Sequence, residues 1–206
     1  MKFSEITLNG DDYSAEIFGI SKMLGLEELI PQRYSVLLLI QLAMGYASRT
    51  LNPYKVLDEV RALEGLRSSQ TKTPCKFTGR ALKGLWHKHY LADGLATMAT
   101  NLKNGVMRDG LPWIEDLANK VSQSGEEHYL TEDDIGQIVH DAVIGNWERR
   151  SAARQLTGEW IIYAQHEGSN YYLCIAGHRS GDDWIRRQID DICATEYPFL
   201  NDLFGS

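Results

Sequence analysis

The sequence predicts an α+β fold, in which a helical N-terminal portion (residues 1–66) precedes a portion (residues 67–206) with a small antiparallel sheet flanked by helices. Apolar residues recur at helical spacing through the first portion. Two runs rich in aromatic and β-branched residues flank a turn-forming stretch near the C-terminus, which is typical of a β-hairpin. With 206 residues, of which 43% are apolar, the chain is long enough to bury a full hydrophobic core.

Two helices are predicted in the first portion. The most apolar run, residues 36–44, is too short to span a bilayer. Because it has no polar face, we expect an almost wholly buried helix with Pro31 in its first turn. A second helix begins at Pro53. Its apolar stripe is predicted from residues that recur at helical spacing: Val56, Leu57, Val60, Leu63 and Leu66.

Three more helices are predicted in the middle of the chain. The first ends at Asn104 and Gly105, and Pro112 marks the start of the second. Thr131 lies three residues before Asp134, which resembles a capping box at the start of the third helix. One face of the first helix is expected to be apolar: Leu91, Leu95, Met98 and Leu102.

The hairpin is the clearest β signal in the sequence. Residues 159–165 and 171–176 favour extended strands, and residues 168–170 (Gly-Ser-Asn) favour a turn between them. A closing helix should follow, with Asp182 or Asp183 as its N-terminal cap. The second portion therefore contains at least one antiparallel strand pair with a helix after it.

Positive charge is concentrated in one segment of an acidic chain. The formal net charge is −7, which argues against a protein that coats nucleic acid with its whole surface. Residues 67–90 hold six of the 21 lysines and arginines and none of the 28 acidic residues. We expect this basic segment to bind RNA or another anionic partner at one place. The alternative is a solvated face that carries no acidic residue.

His87 and His89 are the sharpest feature of the basic segment. In an extended strand, residues two apart face the same way, so both imidazoles would project together. Such a pair can chelate a metal ion or carry out acid–base cleavage of a phosphodiester. A metal site would need a third ligand from distant sequence, such as His178 or Cys174, because no carboxylate lies within three residues of the pair.

The phosphodiester interpretation uses the neighbours of the two histidines. Arg80, Lys83 and Lys88 would place positive charge beside the imidazoles and hold the scissile phosphate. Trp86 and Tyr90 would offer ring faces on which a base could stack. In the non-catalytic alternative, Trp86 is a core residue, and the two histidines are ordinary polar residues of the surface.

The end of the hairpin, "CIAGHRS" at residues 174–180, resembles a family of known proteins. About 25 residues around it are similar to the late hairpin of RelE/ParE-type toxins, where an apolar-Gly-His-Arg stretch leads out of the sheet. The resemblance implies an RNA-directed endoribonuclease with His178 and Arg179 near its site. The chain departs from that family in being twice the usual length, acidic overall and helical at its N-terminus.

These observations predict a metal-independent endoribonuclease of toxin type, without a cofactor, in which His87, His89 and His178 supply the acid and base groups. The predicted substrate-binding residues are Arg80, Lys83, Lys88, Trp86, Tyr90 and Arg179. A protein inhibitor is a further candidate partner. Two alternatives stay open: a non-catalytic module that binds nucleic acid or protein, as in a regulator or phage-defence component, and a metal-dependent enzyme that uses the histidine pair.

The predicted setting is the cytoplasm, without membrane contact. The three cysteines are odd in number and lack CxxC spacing, which favours a reducing compartment. The first residues are polar and acidic, unlike the apolar core of a secretory signal.

Overall fold

A four-stranded antiparallel sheet, whose strands lie side by side in chain order, lies between two groups of helices, which confirms the predicted α+β fold. The computed structural model describes residues 6–8, 10–92, 94–125 and 128–204. The strands are β1 (Thr7–Leu8), β2 (Asp11–Asp12), β3 (Cys75–Lys76), β4 (Trp86–Tyr90), β5 (Glu159–His166) and β6 (Ser169–Ala176). The helices are α1 (Ser14–Leu24), α2 (Leu26–Leu29), α3 (Val36–Ala47), α4 (Pro53–Leu63), α5 (Leu95–Asp109), α6 (Pro112–Ser124), α7 (Glu132–His140), α8 (Asn146–Ala152), α9 (Asp182–Gln188), α10 (Ala194–Glu196) and α11 (Phe199–Phe204). A 3-10 turn (Arg80–Leu82) precedes β4, and π-helical turns join α7 to α8 (Asp141–Gly145) and α9 to α10 (Ile189–Cys193).

The predicted hairpin is confirmed as the antiparallel pair β5 and β6. The turn is tighter than the sequence suggested, because only Glu167 and Gly168 lie between the strands. Both residues have positive φ, 49° and 76°, as a two-residue turn of the primed type requires. The register shifts between Ile162 and Tyr163, so Leu173 forms a β-bulge in β6.

Each face of the sheet is covered by a different part of the chain. Leu38 and Val56, from α3 and α4, pack with Ile161 and Tyr163 on one face. On the other face, Ile162 packs with apolar residues of α9 and the π-helical turn after it. The boundary at residue 66 stays a prediction, although the first of these clusters takes residues from both sides of it.

Helix α3 begins later than predicted. The hydroxyl of Ser35 accepts the backbone N–H of Leu38 at 3.0 Å and caps the helix, so Pro31 lies outside it. Leu38 and its neighbours are buried, but Met44 is 58% exposed. The prediction of almost complete burial is therefore wrong at this end, because α3 packs against the sheet with one side only.

Helix α4 begins at Pro53, as predicted. Val56, Leu57 and Val60 are buried in its apolar stripe. Leu66 is 66% exposed and lies beyond the end of the helix, so its assignment to the stripe is wrong.

Helices α5 to α8 are inserted between β4 and β5. Helix α5 continues through Gly105 to Asp109, so the predicted stop at Asn104 and Gly105 is wrong. A Cβ atom at Gly105 would lie 1.6 Å from Oδ1 of Asn146, so the glycine allows α8 to pack closely. Leu95 and Met98 are exposed, so the predicted apolar face of this helix is largely unburied within the chain.

Two predictions about helix starts have different outcomes. The capping box is confirmed, because Thr131 and Asp134 each bond the other's backbone at the start of α7. Neither Asp182 nor Asp183 caps α9, where Gly181 occupies the cap position without a side-chain bond.

Within the described ranges, every helix is too short or too polar to cross a membrane.

Candidate functional site

Three histidines, two from β4 and one that follows β6, lie together on the face of the sheet that α9 covers. The ring centroids are 5.7 Å apart for His87 and His89 and 5.3 Å apart for His89 and His178. Trp160 lies 4.4 Å from the ring of His178, and Phe77 lies 4.6 Å from that of His87. These five residues form what we call the histidine cluster.

Local structure explains this convergence. Strand β4 is extended, so His87 and His89 share one face. In the register of β4 with β5, His89 lies opposite Trp160. Trp160 in turn pairs with Ala176, the last residue of β6, and His178 follows two residues later. The sheet therefore brings the end of the hairpin beside the histidine pair.

One backbone carbonyl holds two of the imidazoles. Nδ1 of His89 lies 2.7 Å from the oxygen of Gly158, and Nε2 of His178 lies 2.8 Å from the same oxygen. Because a carbonyl oxygen only accepts, both nitrogens must carry the proton. The backbone N–H of Gly158 also lies within hydrogen-bond distance of His89 Nδ1, at 3.3 Å, but the contact to the carbonyl is shorter, at 2.7 Å, and places the proton on Nδ1. The unprotonated nitrogens are therefore Nε2 of His89 and Nδ1 of His178.

Gly158 is a glycine for a steric reason. A Cβ atom there would lie 1.9 Å from the carbonyl oxygen of Tyr90. Any side chain would push the start of β5 away from the end of β4. The close approach of these strands brings the Gly158 carbonyl within reach of His89.

A tight turn presents His178 and Arg179 to solvent. The backbone N–H of Ser180 donates to the carbonyl of Gly177 at 3.0 Å, and the Ser180 hydroxyl accepts the N–H of Gly177 at 3.0 Å. The backbone N–H of His178 donates to Oε2 of Glu159 at 3.0 Å. Both turn residues are exposed, in contrast to the buried His89.

An open groove of about 770 Å³ runs along this turn. Its walls come from the start of β5, the turn after β6 and one side of α5. Its lining residues are Thr97, Thr100, Asn104, Thr157, Gly158, Glu159, Gly177, His178, Arg179 and Ser180. The groove is therefore lined by the imidazole of His178, the guanidinium of Arg179 and polar side chains of α5.

The histidines differ in their tendency to hold a proton. Burial lowers the pKa of His89 to about 4, even though its bond to the Gly158 carbonyl acts in the opposite direction. Burial also lowers the pKa of His87, and the neighbouring His178 and Lys72 lower it further. His89 is therefore neutral near pH 7 and is unsuited to act as a proton donor.

Two buried nitrogens of the cluster have no hydrogen-bond partner among the described residues. They are Nδ1 of His87 and the indole Nε1 of Trp160. Buried polar atoms are nearly always paired, so such exceptions are informative. They give the cluster hydrogen-bonding capacity that its own neighbours do not use.

Lys88 does not lie beside the histidines, so that prediction is wrong. It is 3% exposed and points to the opposite face of β4. There its ammonium pairs with Glu59 at 3.2 Å and donates to the hydroxyls of Ser69 and Thr71, each at 2.7 Å. Burial lowers the pKa of Lys88, although Glu59 opposes this effect. The residue is part of the core structure.

Trp86 and Tyr90 also point away from the histidine cluster. Tyr90 is buried in the hydrophobic core beneath α3 and α4, and Trp86 packs against that core and stacks on Tyr163. The prediction that their rings lie beside the histidines is wrong. The alternation that brings positions 87 and 89 together sends positions 86, 88 and 90 to the other face.

Arg80 and Lys83 lie in and just after the 3-10 turn before β4, which packs against α9. Both are exposed. Neither side chain makes a hydrogen bond, ion pair or ring contact with another described residue, so neither touches the imidazoles. Lys72 is the basic residue whose charge acts on His87 and His89.

The metal-dependent alternative has no ligand set in the part of the chain that the structure describes. No group of three or more His, Cys, Asp or Glu side chains is arranged there to hold an ion. Cys174 is buried in the core beneath α9, where burial raises the pKa of its thiol. Nε2 of His178 donates its proton to the Gly158 carbonyl, so this nitrogen has no lone pair to offer a metal ion.

Sequence reasoning missed three parts of the site. The Gly158 carbonyl is a backbone group, and no residue pattern marks it. For Trp160 the sequence predicts only a place in a strand, and its position opposite His89 follows from the register. Lys72 lies in the basic segment, but the loop that holds it has no periodic pattern that would mark its closeness to the histidines.

Comparison of the chain with protein-family models, with curated proteins and with solved structures finds no match. The resemblance of the hairpin to RelE/ParE-type toxins therefore stays a prediction.

Proposed function

We propose that the protein is a metal-independent endoribonuclease of toxin type, with its active site in the groove beside His178. The observation that carries the proposal is the shared carbonyl: His89 and His178 both donate to Gly158 at the edge of the groove. Arg179 follows His178 in the same exposed turn. An imidazole with a fixed tautomer beside a cation suits acid–base cleavage of a phosphodiester.

His178 is the proposed general base. Its Nε2–H is held by the Gly158 carbonyl, so Nδ1 keeps the lone pair that accepts a proton. The nucleophile is the 2′-hydroxyl of RNA, which gives its proton to Nδ1 and forms a bond to the adjacent phosphorus. The bond from phosphorus to the 5′ oxygen breaks, and that oxygen takes a proton from water. The products are a 2′,3′-cyclic phosphate and a 5′-hydroxyl, and the imidazolium returns its proton to the hydroxide.

Arg179 and His89 have supporting roles in this proposal. The guanidinium of Arg179 stabilises the charge that develops on the phosphate oxygens. His89 stays neutral and lies 5.3 Å from the His178 ring, stacked at an interplanar angle of 27°, so it fixes that ring's position. His87 lies one ring farther from the groove, which makes it a weaker candidate for proton transfer than the sequence suggested.

The proposed setting is the cytoplasm. All three cysteines are free thiols, which suits a reducing compartment. A protein inhibitor remains the proposed partner of a toxin-type enzyme, and the exposed groove is the surface that it would need to cover.

The test uses purified protein with labelled RNA oligonucleotides and with matched oligonucleotides that lack every 2′-hydroxyl. We expect cleavage of RNA alone, undiminished by EDTA, with 2′,3′-cyclic phosphate ends. Absence of cleavage together with salt-sensitive binding would overturn the proposal in favour of the binding module. Cleavage that EDTA abolishes and a divalent ion restores would overturn it in favour of the metal-dependent enzyme.

A further inference from the structure

An asparagine of the inserted helix α5 holds the start of β5. Asn101 is 1% exposed. Its Nδ2 donates to the carbonyl of Thr157 at 2.7 Å, and its Oδ1 accepts the backbone N–H of Thr157 at 2.9 Å. One side-chain amide thus satisfies both backbone groups of Thr157, as a neighbouring strand would do.

Thr157 directly precedes the glycine whose carbonyl holds the two imidazoles. Its carbonyl belongs to the planar peptide group that links it to Gly158, so the asparagine fixes the orientation of that plane. Gly158 itself has no Cβ and is the residue type with the widest backbone freedom. The direction of its carbonyl therefore depends on restraints from neighbouring residues.

The amide of Asn101 is itself held in place. Nδ2 also donates to the carbonyl of Thr97, one turn earlier in α5, at 3.0 Å. The buried Arg150 of α8 donates to the carbonyl of Gln155 at 2.5 Å and lies 3.4 Å from Oδ1 of Asn101. Helices α5 and α8 together therefore brace the chain just before Gly158.

We infer that Asn101 is a positioning residue for the pair His89 and His178. By clamping Thr157, it aims the Gly158 carbonyl at both imidazoles and so selects their tautomers. The inserted helices α5 and α8 thereby belong to the functional site, and α5 also forms one wall of the groove. The link to catalysis rests on the proposed function, whereas the link to the tautomers does not.

The chain offers a matched control in Asn146. This asparagine is also 1% exposed and lies in the same contact between α5 and α8, where it donates to the carbonyl of Leu102 at 3.0 Å. It makes no hydrogen bond to Thr157. Asn101→Ala and Asn146→Ala therefore remove the same buried amide from one helix pair, and only the first removes the clamp on β5.

The experiment measures the imidazole ¹⁵N chemical shifts of both variants by NMR at pH 7.5, together with RNA cleavage. In the wild type and Asn146→Ala, we expect the proton on Nδ1 of His89 and on Nε2 of His178. In Asn101→Ala, we expect averaged tautomers and a kcat about 10–100-fold lower, with KM nearly unchanged, since misplacement of a catalytic group has costs of this size.

Equal ¹⁵N shifts in the two variants would overturn the inference. If the wild type cleaves no RNA, the proposed function fails, and the tautomers still decide the role of Asn101. If Asn101→Ala does not fold, Asn101→Asp replaces it, because its carboxylate can still accept the Thr157 N–H but cannot donate to the carbonyl. Wild-type tautomers in Asn101→Asp would then also overturn the inference.

Discussion

The two faces of strand β4 differ in how completely their buried polar side chains are hydrogen-bonded. On one face, Lys88 is buried with its ammonium bonded to Glu59, Ser69 and Thr71. On the other face, Nδ1 of His87 is buried without a partner among the described residues, and two imidazoles share one carbonyl as their acceptor. Polar groups that are fully paired contribute to stability, whereas polar groups with spare capacity are available for chemistry.

The largest expected effect concerns the paired face. Lys88→Met leaves the Glu59 carboxylate buried without its cation, so the free energy of unfolding should fall by about 3–5 kcal/mol. Urea unfolding at pH 7 measures this change. The exposed Lys72 serves as the control, because Lys72→Met removes a solvated charge nearby. Equal stability of the two variants would show that the buried pair is dispensable.

The second effect is a pH dependence on the histidine face. The folded-state pKa of His89, about 4, lies below the ordinary value of 6.5, so the unfolded chain binds more protons between these values. The contribution of His89 to stability is complete above pH 6.5, declines as the pH falls and is lost below pH 4. By this linkage it amounts to about 3 kcal/mol.

The comparison variant for this effect is His89→Asn, whose amide can still donate to the Gly158 carbonyl but does not titrate. We expect wild-type stability to fall more steeply than that of the variant as the pH drops from 6.5 to 4. Urea unfolding at several pH values measures both profiles. If the stability of the two proteins changes with pH in parallel, burial does not lower the pKa of His89.

A third effect concerns the exposed turn. Arg179→Ala should weaken binding to a non-cleavable RNA analogue by about 10–100-fold, because a charge-assisted hydrogen bond to phosphate is lost. Fluorescence anisotropy measures the affinity. Arg187→Ala, at an exposed position on α9, is the control and should change little. A similar loss in both variants would indicate general electrostatic attraction in place of a defined contact.

The smallest effect is expected at the basic 3-10 turn. Lys83 touches none of the histidines, so Lys83→Ala should change RNA affinity by less than about threefold, the scale of a screened distant charge. The same anisotropy assay applies. A loss as large as that of Arg179→Ala would extend the binding surface to this turn and restore the role that the sequence suggested for it.

The hairpin and the histidine pair were predictable because their signals are local. Strand-favouring residues beside Gly168 define the hairpin, and the spacing of His87 and His89 places both on one face. The same alternation excludes Lys88 from that face. Closeness in sequence therefore does not place Lys88 with the histidines, because a strand sends neighbouring residues to opposite faces and every second residue to the same face.

The remaining features depend on tertiary contacts. The role of Gly158 arises because its carbonyl meets two side chains from other segments, and a backbone group has no signature in the sequence. The stop predicted at Gly105 failed because this glycine makes room for Asn146. In both cases the glycine permits a close approach whose partners are at least 20 residues away along the chain.

The rate of RNA cleavage by His178→Ala, compared with His140→Ala, tests the central claim most directly. His140 lies on α7, is exposed like His178 and is not among the residues that line the groove. We predict that His178→Ala lowers kcat by about 10²–10⁴-fold at pH 7.5, the usual contribution of one general base. Both variants should melt within a few degrees of the wild type. Equal rates in the two variants, both folded, would contradict the assignment of His178 as the base.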